Sequence, residues 1–277
     1  MEKSIKTGRN LVWHDEFLED CLDKTKWSFE RLMFNPGLYY DNSGKNIRIE
    51  NGMLHMEVTK NEGKISTANS LTTKNTMLFR YGYVEMRAKI PFCRGAWPSF
   101  WMKGDTRFSR SVENRNNWFS EIDIFENFSK IDTVSPNIHR WGKINGEESH
   151  EMLPPEVKGK AKNFKFESHQ IAANEFHTYG MLWQKDKISF FVDDNMYFSA
   201  DIDENCYLCN DSRNDTWGFH DPHYLIINNE VFTRDLSWYP ENSDITAEDD
   251  FDINYYVDYV RLYQSGDDEI LYLPPEI

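Results

Sequence analysis

Three acids fall within six residues in Trp118-Phe-Ser-Glu121-Ile-Asp123-Ile-Phe-Glu126-Asn127. On a β-strand, the Glu-x-Asp spacing puts Glu121 and Asp123 on one face while Ile122 and Ile124 enter the opposite, core face. Five positions from Glu121 is an odd step, so Glu126 rejoins the acid face only if Ile124 or Phe125 forms a β-bulge, a device that re-aims side chains beside active sites. Asp and Glu are depleted in strands, and like charges on one strand face repel, so stability alone would not gather these acids. The reading without chemistry is an edge strand with a solvated acidic face.

Two carboxyls on one face suit retaining hydrolysis of a glycosidic bond. That reaction needs an ionised nucleophile and a protonated acid, later a base, about 5 to 5.5 Å apart. Glu121 and Glu126 are the candidates. Four effective strand steps span about 13 Å, so the two side chains must lean together over a curved, bulged strand. Asp123 between them would hold the nucleophile by a hydrogen bond and, as a neighbouring negative charge, help keep Glu126 protonated near neutral pH.

The elements that must position these acids are strands. Asn46-Ile-Arg-Ile-Glu50, Met53-Leu-His-Met-Glu-Val58, Tyr83-Val-Glu-Met-Arg-Ala-Lys-Ile90, Lys187-Ile-Ser-Phe-Phe-Val192 and Asp258-Tyr-Val-Arg-Leu-Tyr263 alternate apolar with polar or run β-branched and aromatic. Asn51-Gly52 between the first two segments is a hairpin signature, and Asp193-Asp194-Asn195 is another tight turn. No segment carries a 3.6-residue apolar stripe longer than about ten residues, so helix is expected to be minor. The pattern predicts an all-β antiparallel sandwich. No repeat, low-complexity tract or Pro/Ser linker interrupts it, so residues 1–277 read as one domain.

The balance of 31 Lys+Arg against 46 Asp+Glu gives a formal charge of −15, which argues against nucleic acid and anionic membranes as partners. Aromatic residues make up 15% of the chain, which suits many short amphipathic strands and an aromatic-lined cleft. The start, Met1 to Asn10, is polar, and no apolar run reaches 18 residues. Either the chain works inside the cell or a secretion signal is missing from it. Cys21, Cys93, Cys206 and Cys209 are too few and scattered for a disulfide scaffold. The sharper reading is a structural zinc site from Cys206-x-x-Cys209 with His220-x-x-His223, and the bland one is buried or unpaired thiols.

At its acids the chain resembles glycoside hydrolase family 16, whose signature is Glu-x-Asp-x-(x)-Glu, in the longer, bulged form shared by laminarinases and several galactan hydrolases. The likeness extends to Leu11-Val-Trp-His-Asp-Glu-Phe17, Asn46-Ile-Arg-Ile-Glu-Asn-Gly52, Tyr81-Gly-Tyr-Val-Glu-Met-Arg87, Gly95-Ala-Trp-Pro-Ser-Phe-Trp101, Phe176-His-Thr-Tyr179 and Val257-Asp-Tyr-Val-Arg-Leu-Tyr263, in family order. The resemblance implies a jelly-roll sandwich with a concave substrate groove, endo cleavage with retention, and Glu121 as nucleophile, Glu126 as acid/base and Asp123 as their partner. It also implies a stabilising calcium near Glu16, Gly52 and Asp258, with no cofactor for catalysis.

Sugar-binding positions carried over by the resemblance are Trp97, Trp101, Trp118, Arg87, Asn46, His139 and Asn228. A Trp ring can stack on a pyranose face while its edge stays wet. Trp101 and Trp183 read rather as core residues, whereas Trp97, before Pro98 and so at a strand end, reads as a groove residue. Arg87 alternates with Glu85 on one strand face, and its competing reading is a cross-strand ion pair, while for His139 it is a structural histidine. The segment Ile227-Asn-Asn-Glu-Val-Phe-Thr233 departs from the laminarinase pattern Leu-Asn-Leu-Ala-Val-Gly-Gly, and Asp105 to Asn117 forms a polar insertion.

The expected partner is a polysaccharide, β-1,3-glucan of laminarin type or mixed β-1,3/1,4-glucan, cleaved by a monomer that is secreted or at the cell surface, with a cytoplasmic enzyme as the alternative. A β-galactan hydrolase of agarase, porphyranase or carrageenase type is the runner-up. Such polymers are often sulfated, and Arg107, Arg110 and Arg115 in the insertion would then supply local positive charge. A non-catalytic carbohydrate-binding protein is the reading from another class, opposed by the intact acids.

Overall fold

The structure is a computed structural model that describes residues 5–32, 35, 37–105, 107, 119–144, 147–152, 162–202, 218–233, 244–249, 251–266 and 268–273. Twenty strands are described. The first seven are β1 (Asn10–Asp15), β2 (Ser28–Glu30), β3 (Leu38–Tyr40), β4 (Ile47–Glu50), β5 (Met53–Asn61), β6 (Lys64–Thr67) and β7 (Ser70–Thr72). Next come β8 (Met77–Arg80), β9 (Gly82–Lys89), β10 (Ala96–Gly104), β11 (Phe119–Glu126), β12 (Thr133–Ile144), β13 (Glu147–Met152) and β14 (Phe164–Lys165). The last are β15 (His177–Trp183), β16 (Lys187–Val192), β17 (Asn195–Asp201), β18 (His223–Val231), β19 (Ile253–Gln264) and β20 (Glu269–Tyr272). Among the described residues one short α-helix, α1 (His169–Asn174), is capped by the Ser168 hydroxyl accepting from the Ile171 amide.

The strands form two sheets, antiparallel except for the β3–β6 pair. One runs β17-β16-β15-β9-β19-β5-β6-β3, with β1 on β19 and β4 on β5. The other runs β13-β12-β11-β10-β18-β7-β2, with β8 joining β18 to β20. Alternation explains how they stack. Val84, Met86 and Ala88 of β9 meet Phe100 and Met102 of β10, Ile122 of β11, Ile138 of β12 and Leu225 and Ile227 of β18 in one continuous core. Each such large side chain contributes roughly 1.5–3 kcal/mol on burial. Trp183 is fully buried here, as a core residue.

The predicted hairpins form where left-handed backbone is tolerated: Asn51 and Gly52 have φ of 54° and 70°, and Asp193 and Asp194 have φ of 50° and 63°. Among the described residues no helix is long and apolar enough to cross a membrane.

Candidate active site

Strand β11 lies between β10 and β12, so its acids are not on a solvated edge. Its pairing carries the predicted bulge. Asp123 faces Trp101 and Phe125 faces Phe100, leaving Ile124 without a partner on β10. The same extra residue shows against β12, where Asp123 pairs with Asn137 and Glu126 with Ser135. Ile124 and Phe125 both sink into the core, and the parity of the strand is reset. Glu121, Asp123 and Glu126 therefore share the outer face of this sheet.

Neighbouring strands furnish that face by the same alternation. From β10 come Trp97, Ser99, Trp101 and Lys103, from β12 Asn137, His139 and Trp141, and from β18 Tyr224, Asn228 and Glu230. The Trp97 indole donates to Glu126 Oε1 at 2.9 Å, and its ring stacks on Phe232 at 4.8 Å. His139 Nε2 lies 2.9 Å from Asp123 Oδ2 and 3.9 Å from Glu121 Oε1. Trp101 donates to Asn228 Oδ1 at 2.6 Å and is walled by Leu78, Tyr224 and Ile226. Its ring thus lies on the catalytic face but largely covered.

Burial sets the electrostatics. Asp123 is 3% exposed, and burial lifts its pKa to about 8. Burial and the Asp123 charge raise Glu126 well above the carboxylate range, against the pull of the Trp97 N–H. Burial, then Asp123, push Glu121 to about 7, while His139 and Lys103 pull it down. The arrangement holds a protonated acid beside a carboxyl poised to ionise, the division of labour that general acid and nucleophilic catalysis require.

Behind the acids, Ser120 points inward. Its hydroxyl donates to Gly218 O at 2.6 Å and lies 2.7 Å from His223 Nε2, reaching across Gly104 on the intervening strand. A Cβ on residue 104 would stand 3.3 Å from that hydroxyl, so the bare glycine keeps the crossing open.

Several expectations are corrected. Arg87 projects from the outer face of the opposite sheet, where it pairs with Asp258 and stacks over Phe176 at 4.7 Å, so it cannot touch a sugar in this groove. Its cross-strand partner is Asp258 on β19, while Glu85 takes Lys6. The Asn46 amide is spent inside its own sheet, donating to Glu57 O, Thr59 Oγ1 and Ser66 O and accepting from Ser66 Oγ.

The calcium expectation also meets a poor fit. Arg261 grips Glu16 in two hydrogen bonds of 2.9 and 2.7 Å, and Arg87 holds Asp258, so neither carboxylate is offered to a divalent ion beside Gly52. Trp118, Arg110, Arg115, Cys206 and Cys209 lie outside the described residues. Of the zinc reading's histidines, His223 is bound at both nitrogens, by Ser120 and by Asp221 O, and His220 by Tyr81 and Ile202 O.

Sequence reasoning missed Lys103, Trp141 and Glu230. Each sits two residues beyond a residue already singled out, Trp101, His139 or Asn228, so strand alternation was the available signal. Glu230 is 1% exposed with its pKa raised by burial to about 8, and its Oε2 accepts from Tyr40.

The family profile described as Beta-porphyranase A-D, GH16 domain, matches residues 11–265. The chain is 28% identical over 281 residues to the glucan endo-1,3-beta-glucosidase A1 of Niallia circulans, covering 93% of this chain but only 38% of that protein. It is 29% identical over 262 residues to a beta-glucanase of Rhodothermus marinus, covering 92% and 85%. A crystal structure of a non-specific endo-beta-1,3(4)-glucanase with 1,3-beta-D-cellobiosyl-glucose at its active site superposes with a TM-score of 0.69 at 27% identity, covering 94% of this chain and 96% of that one.

Proposed function

The chain belongs to glycoside hydrolase family 16, and from that premise we propose that it is a retaining endo-glucanase cutting β-1,3-glucan of laminarin type or mixed β-1,3/1,4-glucan. The observation that carries this reading is the bulge at Ile124, which brings Glu126 to the same face as Glu121 and Asp123. Ionised Glu121 attacks the anomeric carbon as the bond to the leaving sugar breaks, and Glu126 gives its proton to the departing oxygen. A glycosyl ester of Glu121 results. Water then loses a proton to Glu126, attacks the same carbon and frees the Glu121 carboxylate, so the configuration is retained.

Asp123 acts through the other two. Negative charge on Asp123, when it ionises, favours the protonated form of Glu126, and its contact with His139 fixes its rotamer. Trp97 serves the acid rather than offering an open sugar platform, since its indole N–H holds Glu126 Oε1 while its buried ring is stacked on Phe232. No cofactor takes part in the scheme. The neutral polymer suits an acidic protein that acts outside the cell as a monomer.

A galactan is the second reading, favoured by the porphyranase-type profile and by Glu230 in the segment that departs from the laminarinase pattern. Arg107 is bonded to Asp105 and to Lys74 O, which leaves a sulfate less to bind there.

The test is a panel of laminarin, lichenan, agarose, carrageenan and porphyran with product analysis, run beside Glu121→Gln. Release of glucan oligosaccharides by the parent but not the variant is expected. Cleavage of galactans alone overturns the substrate, and full activity in Glu121→Gln overturns the mechanism.

A further inference from the structure

Lys103 sits directly across the ladder from Glu121, on the same groove face. It is the one cation of β10 on that face, and it is set among groups that hold it there. Its ammonium lies 4.2 Å from the centre of the Phe119 ring, and no carboxylate of the described residues lies within ion-pair reach of it. The nearby cations are otherwise engaged: Lys74 is bonded to Glu30, and Arg107 to Asp105.

We propose that Lys103 is a positioning residue for the nucleophile, its fixed positive charge opposite Glu121 keeping that carboxyl ionised in a buried, acid-rich groove. This rests on the assignment of Glu121 as nucleophile.

The groups facing Glu121 leave this task to few candidates. On its own strand, Asp123 and Glu126 oppose ionisation. From β12 comes His139, whose Nε2 is given first to Asp123. From β18 comes the Tyr224 hydroxyl, which is neutral because burial raises its pKa far above 10.0. From β10 comes Lys103, and Glu30 and Lys74 stand beyond it. A cation directly across a strand pair lies about 4.5–5.5 Å away at Cβ, close enough to act on a desolvated carboxyl and far enough not to lock it in a salt bridge that would blunt its attack. Burial lowers the Lys103 pKa and the Glu121 charge raises it, so each group favours the charged form of the other. The same charge favours release of the Glu121 carboxylate when the glycosyl ester is hydrolysed.

The experiment compares the pH dependence of kcat/KM for the parent, Lys103→Met and Lys103→Arg on a neutral glucan and a sulfated galactan, whichever the enzyme cleaves. The acid limb, where the nucleophile ionises, should move alkaline by roughly one pH unit in Lys103→Met and return in Lys103→Arg. The glycosyl ester, trapped by rapid quench and weighed, should accumulate in Lys103→Met.

An unmoved acid limb in a Lys103→Met protein that melts like the parent overturns the proposal. So does a loss confined to the sulfated polymer, which would make Lys103 a ligand for the substrate anion. Glu121→Gln separates this from failure of the underlying assignment: if that variant stays active, the nucleophile itself is wrong.

Discussion

The outer faces of the two sheets use the same residue types to opposite ends. On the sheet of β9 and β19, acids are matched to cations: Glu16 to Arg261, Asp258 to Arg87, Glu85 to Lys6, and Glu50 and Glu57 to Arg48. Hydrogen bonds from Arg261 and Arg48 hold Glu16 and Glu50 below their ordinary pKa. On the sheet of β10 and β11, Asp123 is buried and Glu121 and Glu126 are half-buried, with no lysine or arginine of the described residues bonded to them, and all three rise. Charge is neutralised where it serves stability and left strained where it serves reaction.

The sharpest way to break this contrast is to remove a groove acid. Glu121→Gln should lower kcat/KM by on the order of 10⁴-fold or more, read on the best glucan substrate, whereas Arg261→Ala on the other face should leave it within about twofold. Asp123→Asn should cost roughly 10²- to 10³-fold, chiefly in kcat, because it leaves both reacting groups present but misadjusted.

Stability should respond in the reverse order. The folded pKa of Glu121, about 7, lies above its ordinary 4.5, so the unfolded chain ionises first and stability is lost as pH rises through that interval. Glu121→Gln should therefore melt higher than the parent at pH 7 by about 1–3 kcal/mol of stability, and the gain should vanish below pH 4. Glu16 runs the other way. Its folded pKa is depressed, so its contribution is present above 4.5 and fades as pH falls. Arg261→Ala should cost about 0.2–1 kcal/mol at neutral pH, since the pair is partly exposed. Smallest of all, a chelator should leave the melting temperature unchanged, because arginines already occupy the carboxylates of Glu16 and Asp258.

The site was legible wherever a local rule set it. An odd step from Glu121 to Glu126 on one strand demands a bulge, and Asn51-Gly52 demands a tight turn, both of which formed. Arg87 was misread because alternation says which residues share a face of a strand but not which sheet that strand will join, a choice made by contacts far along the chain. Asn46 failed for a related reason: a polar side chain near a hairpin is claimed by unpaired backbone groups, and those are visible only once the hairpin is folded. Lys103, Trp141 and Glu230 lay within reach of alternation, yet their value depended on which strands came to flank β11.

The crossing from Ser120 over Gly104 to His223 works as an indexing pin. Sliding β11 by a single residue would turn the Ser120 hydroxyl out toward the polymer and drive the Glu121 carboxylate into an apolar interior, so the pin and the hydrophobic penalty reject the same error. Creep of this strand past its neighbours should accordingly be among the slowest motions of the molecule, with the amides around residues 120–123 exchanging hydrogen last.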